Sequence, residues 1–386
     1  MKNILISTGH ELKYPDIIRA ENCTLHDSSG NIYLDLESGV WCTSIGHSNP
    51  RITEIIKEQS GKIMHTGYCY LNPAVEKAAV RLLGITGINE GRCVFLNSGS
   101  EAVEFSVKAV NSFSDRPYFL TMKDSYLSAY GISGQRNPEE WIAFDWINND
   151  RIEDIPFDKI AAFVFEPGSS SGLVRFPPLD LIRSIADKVR SAGGLIIGNE
   201  ITTGMARTGE WFGYNHYGFI PDIAAIGKGL GNGYPVSCAV ISEKVLRRLD
   251  LNVFHYGQSH QNDPLGAAVA CEVIDVIEEN NLLLKCRQDG DLIRSALNKM
   301  KEKYGIISEV RGKGLMIAVE FENNTSFSYA EKINRELLKN NIILVKRPGY
   351  EIFRIDPALT IERKDIDYFL SAMERIISNM KILLPD

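Results

Sequence analysis

From about residue 50 onward, short and wholly apolar runs recur along the chain, each separated from the next by a stretch of helical period. The clearest are "CVFLN" (93–97), "AAFVFE" (161–166), "GLIIGN" (194–199), "IAAIGK" (223–228) and "CAVIS" (238–242). None alternates with polar positions, so both faces of each strand are expected to be covered, as in a mostly parallel sheet between helices. "PLDLIRSIADKVRSAG" has the apolar spacing of an amphipathic helix and ends at the pair Gly193-Gly194, which suits a C-cap. The flanks read differently. "IIRAENCTLHDSSGNIYLDL" alternates around a turn signal at Asp27-Ser28-Ser29-Gly30 and predicts a small antiparallel meander. Beyond about residue 285 the pattern is α+β: a helix, the strand "GLMIAVEF", a helix, then "IILVKRPGYEIFRIDPALTI". The fold class expected is α/β, with a large domain over residues 46–270 and a smaller α+β domain from residues 1–45 and 271–386.

Composition narrows this picture. The chain has 386 residues, 44% hydrophobic and 24% charged, enough for two domains with a substantial core. A net charge of -7 argues against a nucleic-acid or anionic-membrane partner. No apolar stretch reaches bilayer-spanning length, and the opening "MKNILISTGHELKYPD" turns polar too soon for a signal peptide. Seven cysteines without a CxxC pair fit free thiols in a reducing cytoplasm. Zinc spacings, HExxH and EF-hand loops are missing, so no metal site is expected.

In open parallel sheets the ligand site lies beyond the carboxyl ends of the strands. Four polar groups fall there: the Asn97-Ser98-Gly99-Ser100 turn, Glu166, the pair Asn199-Glu200, and Lys228. "NSGSEAVE" reads equally as a helix N-cap or as a small-residue loop whose unpaired N–H groups suit a phosphate. Glu166, before Pro167, also reads as an ordinary loop residue. Lys228 sits in "AIGKGLGNGYP", which lacks both the P-loop pattern and the dinucleotide glycine spacing. A lysine at the end of a buried strand has its pKa lowered and becomes a nucleophile or base. Phosphate loop, lysine and a hydrogen-bonding side chain at one sheet edge are what pyridoxal phosphate requires.

Seven motifs in order complete the pattern: "NIYLDLESGVWCTSIGHSNP", "FLNSGSEAVEFSVKAV", "AAFVFEP", "GLIIGNEITTGMARTGEWFG", "PDIAAIGKGLGNGYPVS", "GQSHQNDPLGAA" and "FRIDPALTI". Over nearly its whole length the chain resembles the class III aminotransferases, fold-type I pyridoxal-phosphate enzymes. The resemblance implies an internal aldimine on Lys228, which then shuttles protons, and a phosphate held by the backbone of Gly99 and Ser100. It places Tyr126 on one face of the cofactor ring and Ile201 on the other. Ser259 would reach the phosphate of the neighbouring subunit, implying a homodimer with shared active sites. Arg354 would grip the substrate carboxylate, a bidentate task suited to guanidinium. Trp41, next to Cys42 as in the omega-transaminase branch, would wall the substrate pocket. Core packing is the alternative for Trp41 and Tyr126.

The departures matter as much. Asn199 stands where the family has an aspartate that keeps the ring nitrogen protonated, and an amide supplies no negative charge. Glu200, one residue along an extended strand, points to the other face and cannot substitute. Leu127-Ser128 replaces the usual His-Gly, and "EPGSSSGLVRFPP" lacks the glutamate that gates the carboxylate arginine in some relatives. The first reading is an aminotransferase acting between an amino acid or amine donor and a keto or aldehyde acceptor. A racemase or epimerase is the alternative, with Tyr126, His255 and Tyr256 as candidates for a second base. Impaired turnover caused by Asn199 is another. A pure binding module would have no use for the amine of Lys228.

Overall fold

The computed structural model describes residues 3–5, 14, 16–148, 152–169, 171–251, 253–324 and 326–382. The expected meander forms from β1 (Ile17–Glu21), β2 (Thr24–Asp27) and β3 (Ile32–Asp35), its turn closed by the Asp27 carboxylate, which accepts from the Ser29 and Asn31 backbone. A kinked turn, α1 (Ser38–Trp41), leads to α2 (Pro50–Lys62) and α3 (Pro73–Thr86), each opened by an asparagine cap and a proline. Next come β4 (Gly91–Leu96), α4 (Gly99–Asn111), β5 (Tyr118–Met122), α5 (Gly131–Gln135), β6 (Trp141–Phe144), β7 (Ile160–Phe165), α6 (Leu179–Ser191) and β8 (Leu195–Glu200). They are followed by β9 (Ile223–Ile226), β10 (Ser237–Ser242), α7 (Glu243–Leu246), α8 (Pro264–Glu279) and α9 (Leu282–Tyr304). The chain closes with β11 (Ile307–Lys313), β12 (Met316–Phe321), α10 (Tyr329–Lys339), β13 (Ile342–Ile343), β14 (Val345–Lys346), β15 (Ile352–Ile355) and α11 (Arg363–Ile382).

The central sheet has seven strands in the order β4-β10-β9-β8-β7-β5-β6, and β10 alone runs against its neighbours. The carboxyl ends of the other strands therefore share one edge. Alternate residues of one strand enter different cores: Val164 and Ile197 pack with α4, Phe163 and Ile196 with α6. Burial on both faces explains why these strands carry continuous apolar runs. Two members of the sheet, β5 and β6, escaped the sequence pattern. β6 is only four residues long, too short to display a period.

Two smaller sheets flank this one. β11, β12, β15 and β14 form an antiparallel sheet, and β13 adds to the meander by running parallel to β3. Arg207, fully buried, ties the parts together: its guanidinium donates to the carbonyls of Leu315 and Pro357 and to the hydroxyls of Ser38 and Ser44. Among the described residues no helix is long and apolar enough to cross a membrane.

Gly290, inside α9, passes so close to the Gly314 turn that an added methyl group would overlap the Gly314 carbonyl. Alanine ordinarily favours a helix over glycine by about 1 kcal/mol. Here the sign reverses: Gly290→Ala is expected to lower the thermal midpoint followed by circular dichroism. A raised midpoint would mean that the helix and the turn are not in contact.

Candidate active site

β9 ends at Ile226, two residues earlier than the apolar run suggests, because Gly227 and Lys228 turn the chain into a 3-10 turn over Lys228–Gly231. The amine of Lys228 stands 5.4 Å from the ring centre of Trp41. Among the described residues it makes no hydrogen bond and no ion pair. Burial holds it below the ordinary lysine value; Arg354 pushes in the same direction, and Cys42 and Glu166 oppose.

The turn before α4 serves both readings of its sequence. Ser98 caps the helix, its hydroxyl accepting from Glu101 N, while the Glu101 carboxylate accepts from the N–H groups of Asn97 and Ser98 at 2.8 Å. The first amides of a helix have no acceptor within it. Those of Gly99 and Ser100 remain for a ligand. A methyl group on Gly99 would lie 2.6 Å from Ile201 Cγ2, and one on Gly227 would lie 3.3 Å from Gly99 Cα. The ends of β4, β8 and β9 thus converge closely at this point, and only glycine fits between them.

Asn199, 1% exposed, is the penultimate residue of β8. Its amide nitrogen donates to Tyr126 O at 3.0 Å, and its oxygen accepts from Ile201 N at 3.3 Å. Glu166 is no ordinary loop residue: its carboxylate accepts from Tyr126 N at 3.0 Å. The two strand ends therefore clamp the backbone of Tyr126 and leave its side chain 48% exposed. Glu200 faces the opposite way, accepting from the Thr203 hydroxyl at 2.7 Å and from Gly213 N and Tyr214 N at 2.7 and 2.9 Å. Burial pushes its carboxyl up to about 7.

Trp41 has both of its expected roles open to it. It packs with Val174, Met316, Ala318 and Ile352, and its ring also carries a cation, with Arg354 Cζ 3.8 Å from the ring centre. Arg354 extends from β15 and is buried, with its Nε 3.1 Å from Asp356 Oδ2. Sequence reasoning missed Asp356 and Arg207. Asp356 left a signal, since a carboxylate two residues beyond an arginine in extended chain shares its face.

Other candidates lie apart within one chain. Ser259 is exposed in the turn before α8, and among the described residues no contact joins it to Lys228. His255 and Tyr256 line an open surface cavity of about 500 Å³ with Tyr68 and Tyr70. His65 and His260 each meet the Asp263 carboxylate at 2.6 Å, with ligand atoms within 4.8 Å of one another. Motif spacing could not reveal this cluster, because His65 is remote in sequence from its partners.

Lys228 without a partner, two helix-terminal amides and a buried carboxamide at one sheet edge fit pyridoxal phosphate. The chain belongs to the class III aminotransferases: the family model "Aminotransferase class-III" matches residues 6–128 and 143–377. It is thereby an α/β enzyme of fold-type I that depends on pyridoxal phosphate. It is similar to the acetylornithine aminotransferase of Methanocaldococcus jannaschii, 26% identical over 95% of this chain and 94% of that protein. It is also similar to the leucine/methionine racemase of Thermococcus litoralis, 27% identical over 94% of this chain and 90% of that one. The solved S-selective transaminase from Arthrobacter sp. shares the fold with a TM-score of 0.90 at 22% identity, covering 99% of this chain and 97% of that one.

Arg354 and Lys228 repel, so removing the arginine charge relieves the ammonium form. In the cofactor-free protein, Arg354→Met is expected to shift the pH dependence of Lys228 acylation upward, read by peptide mass spectrometry. No shift would mean that the two charges are not coupled.

Proposed function

We propose that this enzyme moves an amino group from an amino acid or amine to a keto or aldehyde acceptor, with Lys228 as the residue that carries the cofactor and moves the proton. The reading rests on one observation: a buried amine with no hydrogen bond or ion pair among the described residues, on a turn whose Gly227 packs against Gly99 at the start of α4. When bound, pyridoxal phosphate supplies an aldehyde for amines and a ring that takes up electron density from the substrate Cα. Gly99 and Ser100 would hold its phosphate through their backbone, and Tyr126 and Ile201 would contact its ring. Burial lowers the Lys228 pKa and so favours the neutral amine, the form in which Nζ accepts a proton and returns it. Arg354 pairs with the substrate carboxylate, and Trp41 forms the wall beside it. Ser259, exposed in one chain, completes the phosphate site of a second copy, which makes the working form a homodimer. The division into residues 46–270 and the two flanking segments, and a cytoplasmic location, belong to the same reading.

Asn199 sets the electronic character of the site. One of its N–H groups is spent on Tyr126, and its oxygen already serves Ile201. What remains for the ring nitrogen is a neutral hydrogen bond without countercharge. A weaker electron sink favours return of the proton to Cα, and one similar protein is named a racemase. Racemisation is therefore the second reading.

Incubation with a panel of amino acids and amines in deuterium oxide separates the two. Aminotransfer predicts a keto or aldehyde product from at least one donor. Deuterium at an inverted Cα with no such product would contradict it in favour of racemisation. Asn199→Asp is expected to raise the aminotransfer rate about tenfold or more, the worth of one charge-assisted contact. An unchanged rate would remove the electronic role given to Asn199.

A further inference from the structure

Asp356 is a carboxylate with no outlet. It is fully buried directly after β15, and neither of its oxygens accepts a hydrogen bond of good geometry among the described residues. Leaving such a group uncompensated costs several kcal/mol, so a charge partner is required. Two guanidinium groups are available. Arg207 spends its two terminal nitrogens on the Leu315 and Pro357 carbonyls and on Ser38 and Ser44, and attracts Asp356 without an ion pair among the described residues. Among the described residues Arg354 is ion-paired to Asp356, which faces its Nε at 3.1 Å, and the Glu37 carboxylate also attracts it. Among the described residues the two terminal nitrogens of Arg354 carry no hydrogen bond.

A guanidinium with a carboxylate 3.1 Å from its Nε and its Cζ 3.8 Å from the indole centre keeps its forked end to offer. We propose that Asp356 is the positioning residue for Arg354, fixing the fork of the guanidinium toward the substrate carboxylate. The loop "EPGSSSGLVRFPP" offers no carboxylate beyond Glu166 that could swing in and out. Asp356 is instead a fixed counterion, which sets the orientation of Arg354 before substrate arrives. The proposal rests on the reading that Arg354 takes a carboxylate.

The charged groups facing the pair come from several elements: Arg207 from the segment after β8, Glu37 from the end of the meander, and Arg347 and Lys228 toward Arg354. Burial pushes the Asp356 carboxyl up to about 6, against the pull of Arg354 and Arg207. Protonation below that value releases Arg354 from its hold.

The test uses the holoenzyme and 4-methylpentanoate, an acid with no amino group, titrated by calorimetry. Wild-type affinity is expected to fall as pH drops through about 6, while the ligand itself stays ionised. Asp356→Asn is expected to weaken binding about tenfold above that pH and to flatten the profile. Asp356→Glu should restore part of the affinity. In turnover, the asparagine variant should raise KM for an amino acid and leave KM for the amine lacking its carboxylate within about twofold, with kcat little changed. Unchanged or tighter binding of the acid, or equal losses on both substrates, would overturn the proposal. Should the asparagine variant fail to fold, a flat wild-type profile would overturn it equally. If no donor is turned over at all, the aminotransfer reading falls, and the titration still decides the role of Asp356.

Discussion

A lysine amine and an arginine guanidinium sit over the same buried indole, and of the two only the arginine is ion-paired to a carboxylate among the described residues. Like charges so placed raise each other's cost, and burial removes the water that would screen them. Lys228 is the one that yields, because an ammonium can lose a proton and a guanidinium in practice cannot. The rest of the site follows from this imbalance. In the proposed function the unpaired amine is what condenses with an aldehyde, and the paired arginine is what remains positive for an anionic partner.

The sheet supplies the geometry. Three adjacent parallel strands end at one edge, and each contributes to the site: β7 leads into Glu166, β8 delivers Asn199 and leads into Ile201, and β9 leads into Lys228. Glu166 and Asn199 together hold the Tyr126 backbone, so the aromatic side chain is aimed by its main chain and not by packing of the ring. The relatives show how little of this specifies the outcome. An aminotransferase and a racemase match at 26% and 27% identity, too close for identity to choose between them. In the proposed function the choice falls to individual groups, above all the neutral side chain at position 199.

Much of the fold was legible, for physical reasons. Strands buried on both faces must be apolar throughout, so the runs leading to Glu166, Asn199 and Lys228 announced themselves, as did the opposite facing of Glu200. Short β6 gave no period to read. Arg207 and Asp356 were hidden because their meaning is tertiary: a charged residue in a loop looks solvated until the fold shows that nothing of it reaches water. The trio His65, His260 and Asp263 was hidden by sequence distance. Ser259 is different again: it is exposed in one chain, and its role belongs to the proposed homodimer.

The account stands or falls on the amine of Lys228. Purified protein loaded with pyridoxal phosphate should be reduced with borohydride, digested and mapped by mass spectrometry. A single reduced pyridoxyl-phosphate adduct on the peptide that contains Lys228 is the predicted result. An unmodified Lys228 peptide, or the adduct spread over exposed lysines, would contradict it.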